Sequence, residues 1–231
     1  MTILCIETST SVCSAAIYKD GILVKQCINK EGSNHARLLP LYVEELLSFA
    51  REQHLTLDAV ALSEGPGSYT GLRIGTATAK GLCYGLNIPL IHVPTLDVLC
   101  EAVREGLTSN SPKDGLTSNS KVVFIPMIDA RRMEVYTMIG GETKAVVVEN
   151  EESLKLSNED IVFYFGDGAA KCQAVFTSPK WHFVPDIVPE AQYLGKLAEK
   201  MTNVKSTDLA YYEPYYLKEF IAAHSHVKGL N

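Results

Sequence analysis

The chain has 231 residues, of which 46% are hydrophobic and 21% charged, enough apolar mass for one large domain or two modest lobes. With 21 Lys and Arg against 27 Asp and Glu, the formal charge of -6 gives no broad basic field for gathering nucleic acid, so any RNA contact needs another chain to supply much of the phosphate binding. No basic leader precedes the first apolar run and no stretch reaches about 18 uninterrupted apolar residues, so no membrane span is expected and a cytoplasmic location is the default.

Residues 2–7, 13–19 and 22–28 read as three strands. Asp20-Gly21 between the last two marks a hairpin, because both turn positions want positive φ. A helix follows, with Ser33 as a candidate cap and Leu38, Leu39, Val43, Leu46, Leu47 and Ala50 at helical spacing; Pro40 is awkward unless it lies in the first turns or kinks the helix. The run 57–63 reads as a buried strand, 65–68 as the turn leaving it, 69–86 as a helix, 89–93 as a strand and 95–104 as a helix.

Gly106-Leu-Thr-Ser-Asn-Ser111 recurs at Gly115-Leu-Thr-Ser-Asn-Ser120, a shift too short for a packed repeat, and its polar composition predicts a loop over 106–120 between two lobes. After it the opening pattern returns, with strands at 121–128, 133–139 and 144–148 and Gly140-Gly141 at the second hairpin. A strand at 161–165 and helices near 168–176 and 190–201 complete this half. Two halves that each open with a three-strand meander predict a duplicated α/β fold: lobes at 1–105 and 121–218, each a mixed sheet flanked by helices, and a tail at 219–231. That layout resembles the actin, Hsp70 and sugar-kinase superfamily.

The cysteines at 5, 13, 27, 83, 100 and 172 are scattered through apolar segments and read as buried free thiols. His92 reads as a satisfied polar residue at a strand end, His35 and His54 as surface or interface residues, and His224 and His226 as part of the tail. His35, His54 and His92 join no constellation for a metal, the i and i+2 imidazoles of His224 and His226 could chelate an ion in an extended tail, and neither an HExxH pattern nor a nucleophile elbow supports a peptidase.

The most distinctive stretch is Ser63-Glu-Gly-Pro-Gly-Ser-Tyr-Thr-Gly-Leu-Arg-Ile-Gly-Thr-Ala-Thr-Ala-Lys-Gly-Leu82. Gly65 and Gly67 permit a tight strand-to-helix turn and Thr70 is a candidate cap. Gly71, Gly75 and Ala79 fall on one helix face, and because helical glycines cost about 1 kcal/mol each, another backbone must approach that face closely. Such a stripe packs either inside its own domain or against another chain.

This block closely resembles the GPGSYTGLRIG segment of the TsaB (YeaZ) family. Ile6-Glu-Thr-Ser-Thr10, Asn34-His-Ala-Arg-Leu-Leu-Pro40, Ile128-Asp-Ala-Arg-Arg-Met-Glu-Val-Tyr136 and Glu213-Pro-Tyr-Tyr-Leu217 resemble further family blocks, in family order across residues 2–218. The resemblance implies a role with a TsaD-type transferase and a TsaE-type ATPase in forming threonylcarbamoyladenosine beside the anticodon of tRNAs that read codons beginning with A. It implies that tRNA is met through the complex, and that helices matching residues 34–50 and 70–86 pair with the transferase or, without it, form a homodimer. The interface candidates are Leu38, Leu39, Leu46, Gly71, Leu72, Gly75, Ala79 and Leu82.

The transferase paralogue carries two metal-binding histidines at i and i+4 after the strand that follows its glycine helix. Thr95 and Leu99 occupy the matching positions here, which implies no metal, no catalytic residue and a supporting role. By likeness to the superfamily, Thr8, Ser9 and Thr10 in the first hairpin turn, Asp129 in the second and Gly166-Asp167-Gly168 would face phosphate and Mg²⁺. Glu7 replaces the superfamily's usual Asp, so the cleft is read as degenerate, with no cofactor expected and weak ATP or ADP with Mg²⁺ as the most it would hold. The alternative is an autonomous ATP-dependent transferase of the same superfamily.

Overall fold

The structure, a computed structural model, describes residues 1–32, 34–110, 121–157, 161–201 and 208–218. The Ser33 cap, the second copy of the duplicated hexapeptide, and the tail with His224 and His226 lie outside the described residues.

The first sheet has the order β3-β2-β1-β4-β5, built from β1 (Thr2–Glu7), β2 (Cys13–Lys19), β3 (Ile22–Asn29), β4 (Ala59–Gly65) and β5 (Leu90–Pro94). Strand β1 pairs antiparallel with β2 and parallel with β4, and all six of its residues are buried. That double burial accounts for its unbroken apolar run, because both faces of the sheet are covered. Leu4 and Ile6 meet α1 (His35–Glu52) and α2 (Tyr69–Leu86) on one side. Ile3 and Cys5 meet α4 (Ala191–Lys200) on the other.

The second sheet holds β6 (Val122–Asp129), β7 (Glu134–Ile139), β8 (Glu142–Val147), β9 (Ile161–Phe165) and β10 (Trp181–Val184), in the order β10-β9-β6-β7-β8. Read from the meander side, this repeats the order of the first sheet. The two hairpins match in chemistry as well, with Asp20-Gly21 at φ 48 and 77 and Gly140-Gly141 at φ 61 and 84, the positive pair that fits the strand twist.

Helix α3 (Thr95–Asn110) joins the lobes. Its Leu96, Leu99, Cys100 and Val103 pack against Ile128 and Phe165 of the second sheet. It runs six residues past the position predicted for its end, so the backbone of the first hexapeptide copy, 106–110, is helical and not loop. The expected helix at 168–176 is a short 3-10 segment, Ala170–Ala174.

The sequence reading placed residues 190–201 in the second lobe, and the structure corrects this. Helix α4 lays Ala191, Leu194 and Ala198 on the first sheet, and the Tyr18 hydroxyl donates to the Gln192 carbonyl across that contact. Residues 208–218 likewise return to the first lobe, where Tyr212 joins its core. All six cysteines are free and buried. Among the described residues, no helix is long and apolar enough to cross a membrane.

Candidate functional site: an interlobe cleft and an outer helix groove

The β1–β2 turn and the start of α2 form the first wall of a cleft. Ser68 caps α2, accepting from Gly71 N at 3.3 Å, so the cap is Ser68 and not Thr70. The Thr8 hydroxyl donates to the Gly71 carbonyl at 2.8 Å, and Ser68 N donates to the Ser9 carbonyl at 2.6 Å. Ser9 gives both its N–H (2.7 Å) and its hydroxyl (2.5 Å) to Glu7 Oε1. The hydroxyls of Thr8 and Ser9 are therefore committed to the protein itself.

Glu7 is fully buried and, among the described residues, its second carboxylate oxygen has no hydrogen-bond partner, while the Ser63 hydroxyl nearby is bonded to Thr95. Burial pushes the Glu7 carboxyl above the usual carboxylate range, against the polar contacts of Ser9 and Ser63, which favour the charged form. A raised folded-state value means stability is fully present below the ordinary carboxylate pKa and is lost as pH climbs through the raised value. Glu7→Gln keeps an oxygen for Ser9 and cannot ionise. Its melting temperature is expected to fall less than that of the unaltered chain between acid and mildly alkaline pH; parallel melting curves would show that Glu7 does not titrate this way.

The second wall is the β6–β7 turn with the residues after β9. Asp129 N donates to Asp167 Oδ1 at 3.1 Å, and Asp129 Oδ1 accepts from Arg131 N at 3.2 Å and pairs with the Lys171 ammonium. Lys171 also reaches the Glu134 carbonyl at 2.6 Å. Desolvation raises the Asp167 carboxyl, with the Asp129 carboxylate adding to the effect. Gly166 is held for close approach, since a Cβ there would lie 2.2 Å from the Met127 carbonyl oxygen.

A strap, residues 208–218, crosses the mouth. The cavity left between walls and strap is about 520 Å³. Of the predicted cleft residues, Ser9, Thr10, Asp129 and Asp167 line it, whereas Thr8, Gly166 and Gly168 brace it from behind. Sequence reasoning missed Tyr69, Arg131, Tyr136 and the lining residues Tyr215 to Lys218. Their signal was the set of blocks quoted above: those beginning at Ile6, Ser63, Ile128 and Glu213 all meet here. Among the described residues, no three His, Cys, Asp or Glu side chains gather as a metal site.

Thr95 and Leu99 are both fully buried. The Thr95 hydroxyl bonds the Ser63 hydroxyl at 2.8 Å and accepts from Gly65 N at 3.1 Å, fastening the turn into α2, while Leu99 packs with Ile128 and Phe165. His92 pairs through Nδ1 with Glu64, which raises its pKa, and its ring lies 5.6 Å from that of Tyr212. His35 is buried and donates to the Val12 carbonyl at 3.1 Å, so it is a core residue and not a surface one. His54 is exposed at the end of α1.

The expected interface needs a larger correction. Gly71 and Gly75 face inward: a Cβ on Gly71 would stand 2.0 Å from the Thr8 carbonyl oxygen, and one on Gly75 2.3 Å from Thr8 Oγ1. Leu39, Leu46, Leu72 and Ala79 are buried in the same lobe, and Leu38 and Leu82 are half-buried. The close backbone that the small stripe demands belongs to this chain. The outward side of the two helices instead forms a groove of about 560 Å³ lined by Pro40, Val43, Leu47, Ala77, Gly81 and Leu82, with Glu44, Arg51 and Thr78 at its sides. Leu41 and Tyr84, on the same two helices, are 55% and 85% exposed.

Two like-ordered sheets, bridged by α3 and facing one another across a strapped cleft, define a two-lobed protein of the actin-like class. The family model described as "TsaD: tRNA N6-adenosine threonylcarbamoyltransferase" matches residues 29–223, and the chain belongs to that family. Within it the chain is similar to proteins named tRNA threonylcarbamoyladenosine biosynthesis protein TsaB. It is 28% identical to that of Escherichia coli (strain K12) over 96% of each chain, and 29% identical to that of Bacillus subtilis (strain 168) over 91% of this chain and 86% of the relative. The solved structure of YeaZ from Pseudomonas aeruginosa is similar at 27% identity and a TM-score of 0.67, covering 94% of this chain and 99% of that one.

Proposed function

We propose that this chain is a non-catalytic subunit in the formation of threonylcarbamoyladenosine in tRNA, docking on a TsaD-type transferase through the outer groove between α1 and α2. The names of its relatives give the pathway. The observation that carries the supporting role is Thr95, whose hydroxyl is spent on Ser63 and Gly65 where the resemblance places the transferase's first metal-binding histidine; Leu99, at the second position, is sealed in apolar packing. The reading extends to a TsaE-type ATPase in the same complex, to tRNA met through that complex, to homodimers through the same groove without the transferase, and to the cytoplasm.

Reconstitution tests it. Transferase, ATPase and tRNA with their substrates are expected to give modified tRNA only when this chain is added, and this chain alone none. Full modification in its absence would overturn the assignment.

ATP with Mg²⁺ fits the cleft poorly. The hydroxyls of Thr8 and Ser9 bond the chain itself, Asp129 is ion-paired with Lys171, and Tyr215 to Lys218 stand in the cavity wall. Calorimetric titration is expected to show no binding at about 1 mM ATP, a concentration that would detect a free energy near -4 kcal/mol. A micromolar dissociation constant would instead favour the autonomous ATP-dependent transferase.

A further inference from the structure

We propose that residues 208–218 form a clasp over the cleft, fixed at one end on the first lobe and releasable at the other from the second, so that the strap sets how far the lobes open. This stands apart from the partner assignment above.

The fixed end is held by several kinds of contact. Tyr212 is buried in the first lobe's core, and Leu209 packs against the same cluster. The Lys80 ammonium of α2 donates to the carbonyls of Ala210 (2.9 Å) and Tyr212 (3.2 Å). Tyr215 N donates to the Glu64 carbonyl at 2.7 Å, and the Tyr215 carbonyl lies so close to Gly65 that a Cβ there would sit 2.5 Å from its oxygen. The Tyr216 ring lies 5.3 Å from that of Tyr69, tilted by 42°, and its hydroxyl accepts from Arg73 Nε at 3.3 Å.

The free end is different in kind. Lys218 crosses to the second lobe and makes an ion pair with Glu134 of β7, with the Lys218 side chain 46% exposed. With the Glu134 side chain 20% exposed as well, the pair stays in part open to water, where an ion pair of long side chains contributes little and is screened by salt. Another connection between the lobes, α3 against Ile128 and Phe165, is apolar and sealed. A tight apolar joint on one side and a weak polar contact at the mouth give a hinge with a catch. Lys218 and Glu134 come from, or directly follow, two of the sequence blocks that converge on the cleft.

The test is an interlobe distance measured by electron spin resonance, with spin labels on Gln53→Cys in the first lobe and Gln173→Cys in the second; the six native cysteines are buried. Lys218→Glu is expected to shift and broaden the distance distribution by several ångströms, and the charge-swapped Lys218→Glu, Glu134→Lys pair to return it to that of the unaltered chain. Because salt screens the Lys218–Glu134 pair, raising it is expected to move the distribution of the unaltered chain toward that of Lys218→Glu. An unchanged distribution in Lys218→Glu, or a swapped pair as open as the single variant, overturns the clasp. Lys218→Gln, which removes charge without repulsion, is read the same way if Lys218→Glu does not fold.

Discussion

Replacing Gly71 with alanine is expected to destabilise the chain by about 2 kcal/mol or more, a fall in melting temperature of roughly 4–8 °C for a protein of this size. The added methyl would stand 2.0 Å from the Thr8 carbonyl oxygen, a backbone atom that no rotamer change can move. That carbonyl belongs to the turn whose Thr8 hydroxyl bonds the Gly71 carbonyl and whose Ser9 carbonyl accepts from Ser68 N. Relief therefore requires either α2 to lift from the sheet or the turn to withdraw, and each breaks bonds the other side depends on. Better helix propensity returns at most about 1 kcal/mol, which leaves a net loss. Gly81→Ala is the control, because nothing lies within 4 Å of its Cβ position and the same propensity gain is expected there unopposed. Urea midpoints that move in the same direction for both variants would show that the small stripe of α2 does not face Thr8.

The contrast between these two glycines marks what was legible in the sequence. Strands β1 and β2 and helix α2 were readable to the residue because their signals are local: short apolar runs, turn residues with positive φ, and the Gly-Pro-Gly-Ser turn that opens the helix. The duplicated order of the sheets followed from two such meanders. Which face of α2 turned inward was not readable. Four-residue spacing of small side chains demands a close backbone but does not say whose, and Thr8 lies 63 residues upstream of Gly71. Helix α4 posed the same difficulty, since its stripe of Ala191, Leu194 and Ala198 would fit either sheet.

Other misses have local causes. Strand β10 is four residues long between Pro179 and Pro185, too short for periodicity to register, and α3 runs into the polar stretch whose composition reads as loop. The cleft was legible as separate loops, each carrying hydroxyls or carboxylates in a turn. Its closure was not, because Tyr215 and Lys218 reach Glu64 and Glu134 across more than 80 residues of sequence in each case.

Gly81→Arg is expected to weaken association with a TsaD-type transferase about 100-fold or more, close to 3 kcal/mol, while leaving the free chain at least as stable. The position is exposed and helical, nothing lies within 4 Å of its Cβ position, and arginine replaces the poorest helix former but proline. Its neighbours in the groove are Val43, Leu47, Ala77 and Leu82, an apolar floor with Glu44 and Arg51 beside it. A partner helix seated there would have to exclude or bury a guanidinium among aliphatic side chains, which is costly unless a carboxylate answers it. Homodimers through the same surface should dissociate in parallel, visible as a halved mass in solution, whereas Gly81→Ala should retain both associations within a few-fold. A Gly75 variant could not make this distinction, since the Thr8 hydroxyl 2.3 Å from its Cβ position would disturb the fold before any partner arrived. If Gly81→Arg binds the transferase as tightly as the unaltered chain, the outer groove is not the docking surface, and the supporting role argued from Thr95 and Leu99 must be delivered from another face.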